Sequence, residues 1–382
     1  MEVIFLIGAT LSFFLAFLVF DKKGKTAGDY VLFAWIALIG FQLINHYLHT
    51  TGFLFSHPHL LGIGIALPML QGPFMFVYVL VMINENVKFK PIYLLNSTPF
   101  LLVTMFFMFD FYFLNASEKL TYYESQVNGQ TPIIQILTFP NIILGPTYLI
   151  WTLILLRKHM KNIKNNFSYT EKISLRWLKY ILVGMGFVWI AVIFANIVSS
   201  LSILTDSMHD HVIYLAATIV MFFLGYFGIK QKAIYSTIAT NSNPEIDNNL
   251  NKTEKKRSRY KKSGLKKTEA EVQLKKLLDY FENDKPYLNG KLNLKEVADH
   301  IDTSVNHLSQ IINELLDKSF FDFVNGYRVE EVRNLLSDSK NKQYTLLAVA
   351  YESGFNSKSS FNSIFKKITG LTPSQYSKQQ TG

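Results

Sequence analysis

Residues 292–316 read LNLKEVADHIDTSVNHLSQIINELL. Their apolar positions recur at helical intervals with one interruption, which is the pattern of two short helices around a tight turn. Leu294, Val297, Ala298 and Ile301 make an inner face on the first helix, Asp302 and Thr303 form the turn, and Ser304 is placed to cap the second. On the second helix Leu308, Ile311, Ile312 and Leu315 face inward. Asn306, Ser309 and Gln310 are left outward near the helix start, where a helix-turn-helix reads base edges in the major groove.

The arrangement recurs downstream. Val349 and Ala350 repeat Val297 and Ala298, and Gly354-Phe355 supplies a turn in which glycine accepts a left-handed backbone. Ser357 then caps a helix with Phe361, Ile364, Phe365 and Ile368 inward. Its outward face carries Ser359, Ser360, Asn362 and Ser363, with Lys358 beside them and Lys366 and Lys367 further along, suited to phosphates. Between the two units SFFDFVNGYRVEEVRNLLSDS, residues 319–339, reads as one helix that spaces them onto successive major-groove segments. Upstream, EAEVQLKKLLDYFEND gives the stripe Val272, Leu274, Leu277, Leu278 and Phe281.

With these residues in place, the region from about 275 to 376 resembles the two-motif DNA-binding domain of the AraC/XylS transcriptional regulators. The likeness is carried by Ala298, Ser304, Leu308, the Phe320 to Tyr327-Arg328 segment, Ala350, Gly354-Phe355, Phe361, Phe365-Lys366-Lys367, Gly370 and Thr372-Pro373-Ser374-Gln375-Tyr376. It implies that Asn306, Ser309 and Gln310 face bases in the first motif, and Ser359, Ser360, Asn362 and Ser363 in the second. The sequence departs from the family at Asp302, where a small turn residue is common, and at Ser377, where an arginine commonly follows the final tyrosine. The outward faces are short and polar rather than arginine-rich, which leaves the preferred DNA sequence open and points to modest affinity per monomer.

The front of the chain is of another kind. Of a net charge of +10, residues 1–229 carry 13 Lys+Arg against 10 Asp+Glu, and residues 230–382 carry 25 against 18. Apolar stretches long enough to cross the roughly 30 Å hydrocarbon core fall at 3–20, 30–49, 60–83, 92–114, 132–156, 177–204 and 212–229. The first is expected to stay as a helix, because its basic cluster (Lys22, Lys23, Lys25) follows the apolar run and no small-residue cleavage site appears. Alternate loops, 21–29, 84–91 and 157–176, hold eleven Lys or Arg, while 50–59, 115–131 and 205–211 hold only Lys119. By the positive-inside rule the N-terminus lies outside and everything after Ile229 is cytoplasmic.

Within the spans stand Gln42, Asn45, His46, Gln71, Asn96, Asp110, Gln135, Asn141 and Asn196, with Pro68, Pro73, Pro99, Pro140 and Pro146. Two readings apply: they face neighbouring helices and hydrogen-bond there, or they line a ligand cavity. Six of the nine histidines, His46, His49, His57, His59, His209 and His211, fall at the outer ends of spans or in outer loops, with Asp206 and Asp210 nearby. They are candidate ligands for a divalent metal, candidate acid sensors, or ordinary interfacial residues. ATNSNPEIDNNLN, residues 239–251, reads as a tether. Nine Lys or Arg between Lys252 and Lys267 suit either anionic lipid or DNA phosphates.

The expected fold is all-α: a seven-transmembrane helix bundle (1–229), a flexible basic linker (230–268) and a soluble all-helical double helix-turn-helix domain (269–382). The expected function is that of a membrane-anchored, sequence-specific DNA-binding regulator, a one-component sensor in the bacterial cytoplasmic (inner) membrane. The alternatives are a membrane tether for DNA without sensing and a transporter-like ligand-binding bundle fused to a regulator. The absence of cysteine excludes thiolate catalysis and Cys-ligated zinc. No catalytic motif appears in either half, so neither enzyme activity nor a cofactor is expected. A retinal protein would need a lysine in its last span, and VIYLAATIVMFFLGYFGI has none. Candidate partners are double-stranded DNA, membrane lipid, a second copy of the chain and a small-molecule or ion signal.

Overall fold

The computed structural model describes residues 2–83, 95–127, 133, 139–170, 173, 175–201, 208, 210–222, 267–338 and 343–381. Regular structure among them is helical throughout, apart from one isolated antiparallel β-bridge between Phe167 and Asn293. The chain divides into two units: residues 1–157 with 176–246, and residues 158–175 with 247–382. The linker stretch 239–251 and the basic run as far as Lys266 lie outside the described residues.

The first unit contains α1 (Val3–Asp21), α2 (Ala27–Thr50), α3 (Gln71–Ile83), α4 (Thr98–Phe107), α5 (Ala116–Val127), most of α6 (Pro140–Asn166), α7 (Arg176–Ser200) and α8 (Asp210–Phe222). The turn from α1 to α2 is fixed by a capping box: the Thr26 hydroxyl accepts from the Asp29 N–H, the Asp29 carboxylate accepts from the Thr26 N–H, and Lys22 pairs with Asp29 at 2.8 Å. Close approach of α1 and α2 depends on small residues, since a Cβ on Gly40 would lie 3.0 Å from that of Ser12.

Among the described residues four helices are long and apolar enough to cross a membrane: Val3–Asp21, Ala27–Thr50, Pro140–Asn166 and Trp177–Ser199. The apolar run 60–83 is not one helix. Gly62 is left-handed (φ +85), Pro68 sits in a 3-10 turn at Leu67–Leu70, and α-helix begins only at Gln71. The run 92–114 passes through a π-turn at Met108–Tyr112, and the chain then bends by 119° into α5. Here Tyr122 donates to the Asp110 carboxylate at 2.6 Å.

Several polar groups of the apolar helices are paired with one another. Trp35 Nε1 donates to Gln71 Oε1 at 2.7 Å, Gln71 Nε2 donates to Gln42 Oε1 at 2.9 Å, and Tyr148 Oη donates to Asn96 Oδ1 at 3.1 Å. Polar side chains in apolar helices hydrogen-bond across helices in this way. Gln135 lies outside the described residues.

The second unit consists of residues 158–170, at the end of α6 and beyond it, together with α9 (Lys267–Asn283), α10 (Leu294–His300), α11 (Val305–Leu315), α12 (Phe320–Ser337), α13 (Leu346–Glu352), α14 (Lys358–Thr369) and α15 (Pro373–Thr381). It has two apolar cores, and α12 serves both. Phe320, Phe323 and Val324 enter the first with Leu277, Phe281, Val297, Leu308 and Ile312, while Phe321, Val329 and Val332 enter the second with Val349, Phe355, Phe361 and Phe365. A helix buried on opposite faces loses the one-sided pattern of a surface helix. Three positions expected inward are instead exposed: Val272 at 58%, Leu315 at 43% and Ile368 at 48%. Leu315 and Ile368 lie at helix ends, where the helix runs past the core it packs on, while Val272 stands two residues before Leu274 and so on the other side of the helix.

Candidate nucleic-acid interface

The two helix pairs share one local geometry. Ser304 Oγ accepts from the His307 N–H at 3.1 Å, and Ser357 Oγ accepts from the Ser360 N–H at 3.1 Å, so each second helix starts on a serine cap. In the first turn Thr303 N–H donates to Ala298 O at 2.9 Å, and in the second Phe355 N–H donates to Ala350 O at 3.0 Å. Both turns need a left-handed residue just before that bond. Asp302 (φ +54) supplies it in the first and Gly354 (φ +86) in the second. Aspartate tolerates this conformation, which accounts for its presence at a turn position where a small residue is common. The second turn is one residue longer, and the added Asn356 donates to Gly290 O.

The caps and cores turn the polar residues outward. Asn306 and Gln310 are exposed and Ser309 is half-buried on α11, and Lys358, Ser359, Asn362 and Ser363 are exposed with Ser360 half-buried on α14. Some already have partners: Gln310 Nε2 donates to Glu314 at 3.0 Å, and Asn313 Nδ2 donates to Ser309 O at 2.6 Å. Lys366 and Lys367 are both exposed at the end of α14, where lysine also complements the helix dipole. Lys367 is ion-paired with Asp322 of α12 at 2.8 Å. Burial alone would raise the Asp322 carboxyl, but the hydrogen bond from Lys367, that from Ser319 and the nearby Lys164 charge hold it below the ordinary carboxylate value.

The run Thr372-Pro373-Ser374-Gln375-Tyr376 has a physical reading. Thr372 Oγ1 accepts from the Gln375 N–H at 3.3 Å, Gln375 Oε1 accepts from the Thr372 N–H at 3.0 Å, and Pro373 takes the first helical position, where its missing donor costs nothing. Tyr376 then packs edge-on against Phe365, and its hydroxyl accepts from Arg333 Nε at 3.0 Å.

What holds the two pairs together is Arg328, only 1% exposed in the middle of α12. Its Nε donates to Tyr287 O at 2.8 Å, its Nη2 to Asn289 O at 2.9 Å, and its Nη1 to Asn325 Oδ1 at 3.2 Å. Burial pushes its pKa down to about 10, leaving it charged at neutral pH. Gly354 belongs to the same cluster, since a Cβ there would stand 2.3 Å from Tyr287 O and 3.0 Å from Arg328 Nε. The guanidinium thereby joins the segment ahead of the first pair, the connecting helix and the turn of the second pair. Sequence reasoning placed Arg328 in a motif without giving it this role. The available signal was a polar pair, Asn325 and Arg328, flanked by the apolar Phe323-Val324 and Val329.

The described histidines of the first unit stand in different local settings. His46, 4% exposed, stacks on Tyr214 at 4.1 Å and meets His211 edge-on at 5.3 Å. His49 is hydrogen-bonded to Tyr123, and His57 stacks on Phe53. His59 lines a mostly apolar pocket with Phe100, Thr104, Tyr112 and Lys119. His209 is outside the described residues. Among the described residues no three His, Asp or Glu side chains come together as a metal-binding group.

Comparison with known proteins bears on the second unit. Residues 297–379 match the family model described as a helix-turn-helix domain. The chain is 32% identical over 87 residues to the melibiose operon regulatory protein of Escherichia coli (strain K12), covering 23% of this chain and 28% of that protein. It is 32% identical over 90 residues to an uncharacterized HTH-type transcriptional regulator of Staphylococcus aureus (strain COL), covering 24% of this chain and 12% of that protein. The chain thus spans well under a third of the length of these curated relatives. No solved structure matches significantly. The C-terminal region is a helix-turn-helix domain, in agreement with its AraC/XylS resemblance.

Proposed function

We propose that the chain is a membrane-anchored, sequence-specific DNA-binding transcriptional regulator. The observation that carries the reading is the duplicated helix–turn–helix geometry, with two serine-capped helices presenting short polar faces from the two ends of one connecting helix. In this reading α11 and α14 enter the major groove. Asn306, Ser309 and Gln310 of the first, with Ser359, Ser360, Asn362 and Ser363 of the second, face base edges. Lys358, Lys366 and Lys367 meet phosphates. A connecting helix of 18 residues is about 27 Å long, short enough to set the readers about one DNA turn apart. The similarity to proteins named as regulators supports the same reading.

Residues 1–229 are the membrane part in this account, crossing seven times with the N-terminus outside, residues 230–268 are the linker, and residues 269–382 bind DNA. Support comes from the four helices of spanning length among the described residues and from aromatic side chains left outward on α1, with Phe14, Phe17 and Phe20 at 52%, 61% and 51% exposed. The orientation is supported by the charges in alternate loops and by the folding of 158–170, part of an inner loop in this reading, with the helix-turn-helix region. A signal at the membrane part acts by binding two of its states with different affinity. The test is to map the binding sites of the full chain on the genome with and without candidate stimuli, and to compare transcription of the bound genes after truncation at about Lys252. Occupancy that follows the stimulus supports a sensor. Occupancy indifferent to every stimulus supports the tether, and a uniform background overturns the reading.

A further inference from the structure

The hydrogen-bonding cluster around Arg328 is completed by a residue far away in sequence. Ser168, 1% exposed, lies in the short segment between the end of α6 and the start of α7. Its carbonyl accepts from Arg328 Nη1 at 3.1 Å and from Asn325 Nδ2 at 3.0 Å. Its hydroxyl accepts from Arg328 Nη2 at 3.1 Å and donates to Leu292 O at 2.6 Å, and its N–H donates to the same carbonyl at 3.2 Å. The neighbouring Phe167 forms the antiparallel bridge to Asn293, the cap of α10, and Thr170 is buried. Every polar group of Ser168 is used, and each partner belongs to the helix-turn-helix region.

We propose that residues 167–170 are a docked strap: a segment between two apolar helices that occupies a dedicated site on the DNA-binding unit and sets the angle between its two readers. The site consists of the Leu292 carbonyl, Asn325 and Arg328. Its chemistry, two side chains donating to one carbonyl and a guanidinium donating to a hydroxyl, fits a serine. The same guanidinium holds the carbonyls of Tyr287 and Asn289 and abuts the Gly354 turn, so the strap bears on the contacts that fix one helix pair against the other. A buried arginine whose partners are withdrawn leaves donors unpaired, and the cluster must then rearrange. Because the strap continues covalently into α6 and α7, a shift of those helices reaches the reader geometry through it rather than through the basic linker. This inference rests on the DNA-binding reading and adds to it where regulation enters.

The test uses the full chain in lipid nanodiscs and DNA fragments taken from its mapped genomic sites, intact or with one of the two contacted segments scrambled. The chain contains no cysteine, so Phe167→Cys with Asn293→Cys introduces a single pair. Residues facing each other in an antiparallel bridge are about 4.5–5.5 Å apart at Cα, inside the disulfide range. We expect the pair to cross-link under mild oxidation and the oxidised form to bind the two-segment fragment as tightly as its reduced form or tighter, with Asn293→Cys alone as the control for the lost cap. Ser168→Ala removes a charge-assisted bond from Arg328 and should lower affinity for the two-segment fragment about tenfold, with a change below about twofold on the one-segment fragment. Retained one-segment binding shows that the variant is folded. A pair that does not cross-link overturns the strap, as does Ser168→Ala with equal effects on both fragments or none. If the parent chain binds no fragment, the DNA-binding reading fails, and the strap then stands or falls on the cross-link alone.

Discussion

Gly354→Ala tests the contact on which the packing of the two helix pairs depends. The residue is left-handed at φ +86, and a β-carbon would lie 2.3 Å from Tyr287 O, 2.9 Å from Leu288 O and 3.0 Å from Arg328 Nε. The conformational part costs roughly 1–2 kcal/mol for any L side chain. The overlap adds about 1–3 kcal/mol, because two of the three atoms are main-chain carbonyl oxygens, one of them held by Arg328, and have little room to retreat. Gly370 separates the two terms: it is also left-handed, at φ +79, but a β-carbon there would meet nothing within 4 Å. Gly370→Ala should therefore show only the first cost. Native-state hydrogen exchange on the full chain in nanodiscs, read over the amides of Val349 to Phe365, gives the opening free energy for each variant. The reasoning predicts a larger loss for Gly354→Ala by about 1–3 kcal/mol. Losses equal within about 0.5 kcal/mol would refute it.

Arg328→Lys keeps the charge but replaces a planar fork with a single ammonium, leaving several carbonyls around it unpaired. A destabilisation of about 2–4 kcal/mol is expected, read by the same exchange experiment. Lys366→Ala should weaken binding to every DNA sequence alike and lower the slope of log affinity against log salt by about 0.9, measured by titration at several salt concentrations. Asp322→Asn frees Lys367 for a phosphate and should raise DNA affinity. The gain should stay below about 1 kcal/mol, because the 2.8 Å pair is solvent-exposed and screened. If affinity falls instead, Asp322 serves α12 through Ser319 rather than restraining the lysine.

The helix pairs were legible because their signals are local. A serine cap, a left-handed turn residue and an apolar stripe each lie within a dozen residues, and Ser304, Ser357, Gly354 and the Val-Ala pairs stand where the pattern puts them. Leu315 and Ile368 were misplaced because periodicity runs on past the point where the packing partner ends. The role of Arg328 was not legible, since its partners at 287, 289 and 168 come together only in the folded unit. The same holds for the strap, which hydropathy reads as a connection between apolar helices and nothing more. In the first unit the apolar runs were plain from composition, but a window average smooths over the glycines and the proline that delay the start of α3, and over the π-turn at Met108–Tyr112 that precedes the 119° bend.

The central claim is that α11 and α14 read DNA together. Hydroxyl-radical footprinting of the full chain on a mapped genomic fragment measures this directly. The account predicts two protected patches on one face of the duplex, about 10 base pairs apart, with protection of one lost on substituting Asn306 and of the other on substituting Asn362. A single patch, or two patches unaffected by either substitution, would contradict it.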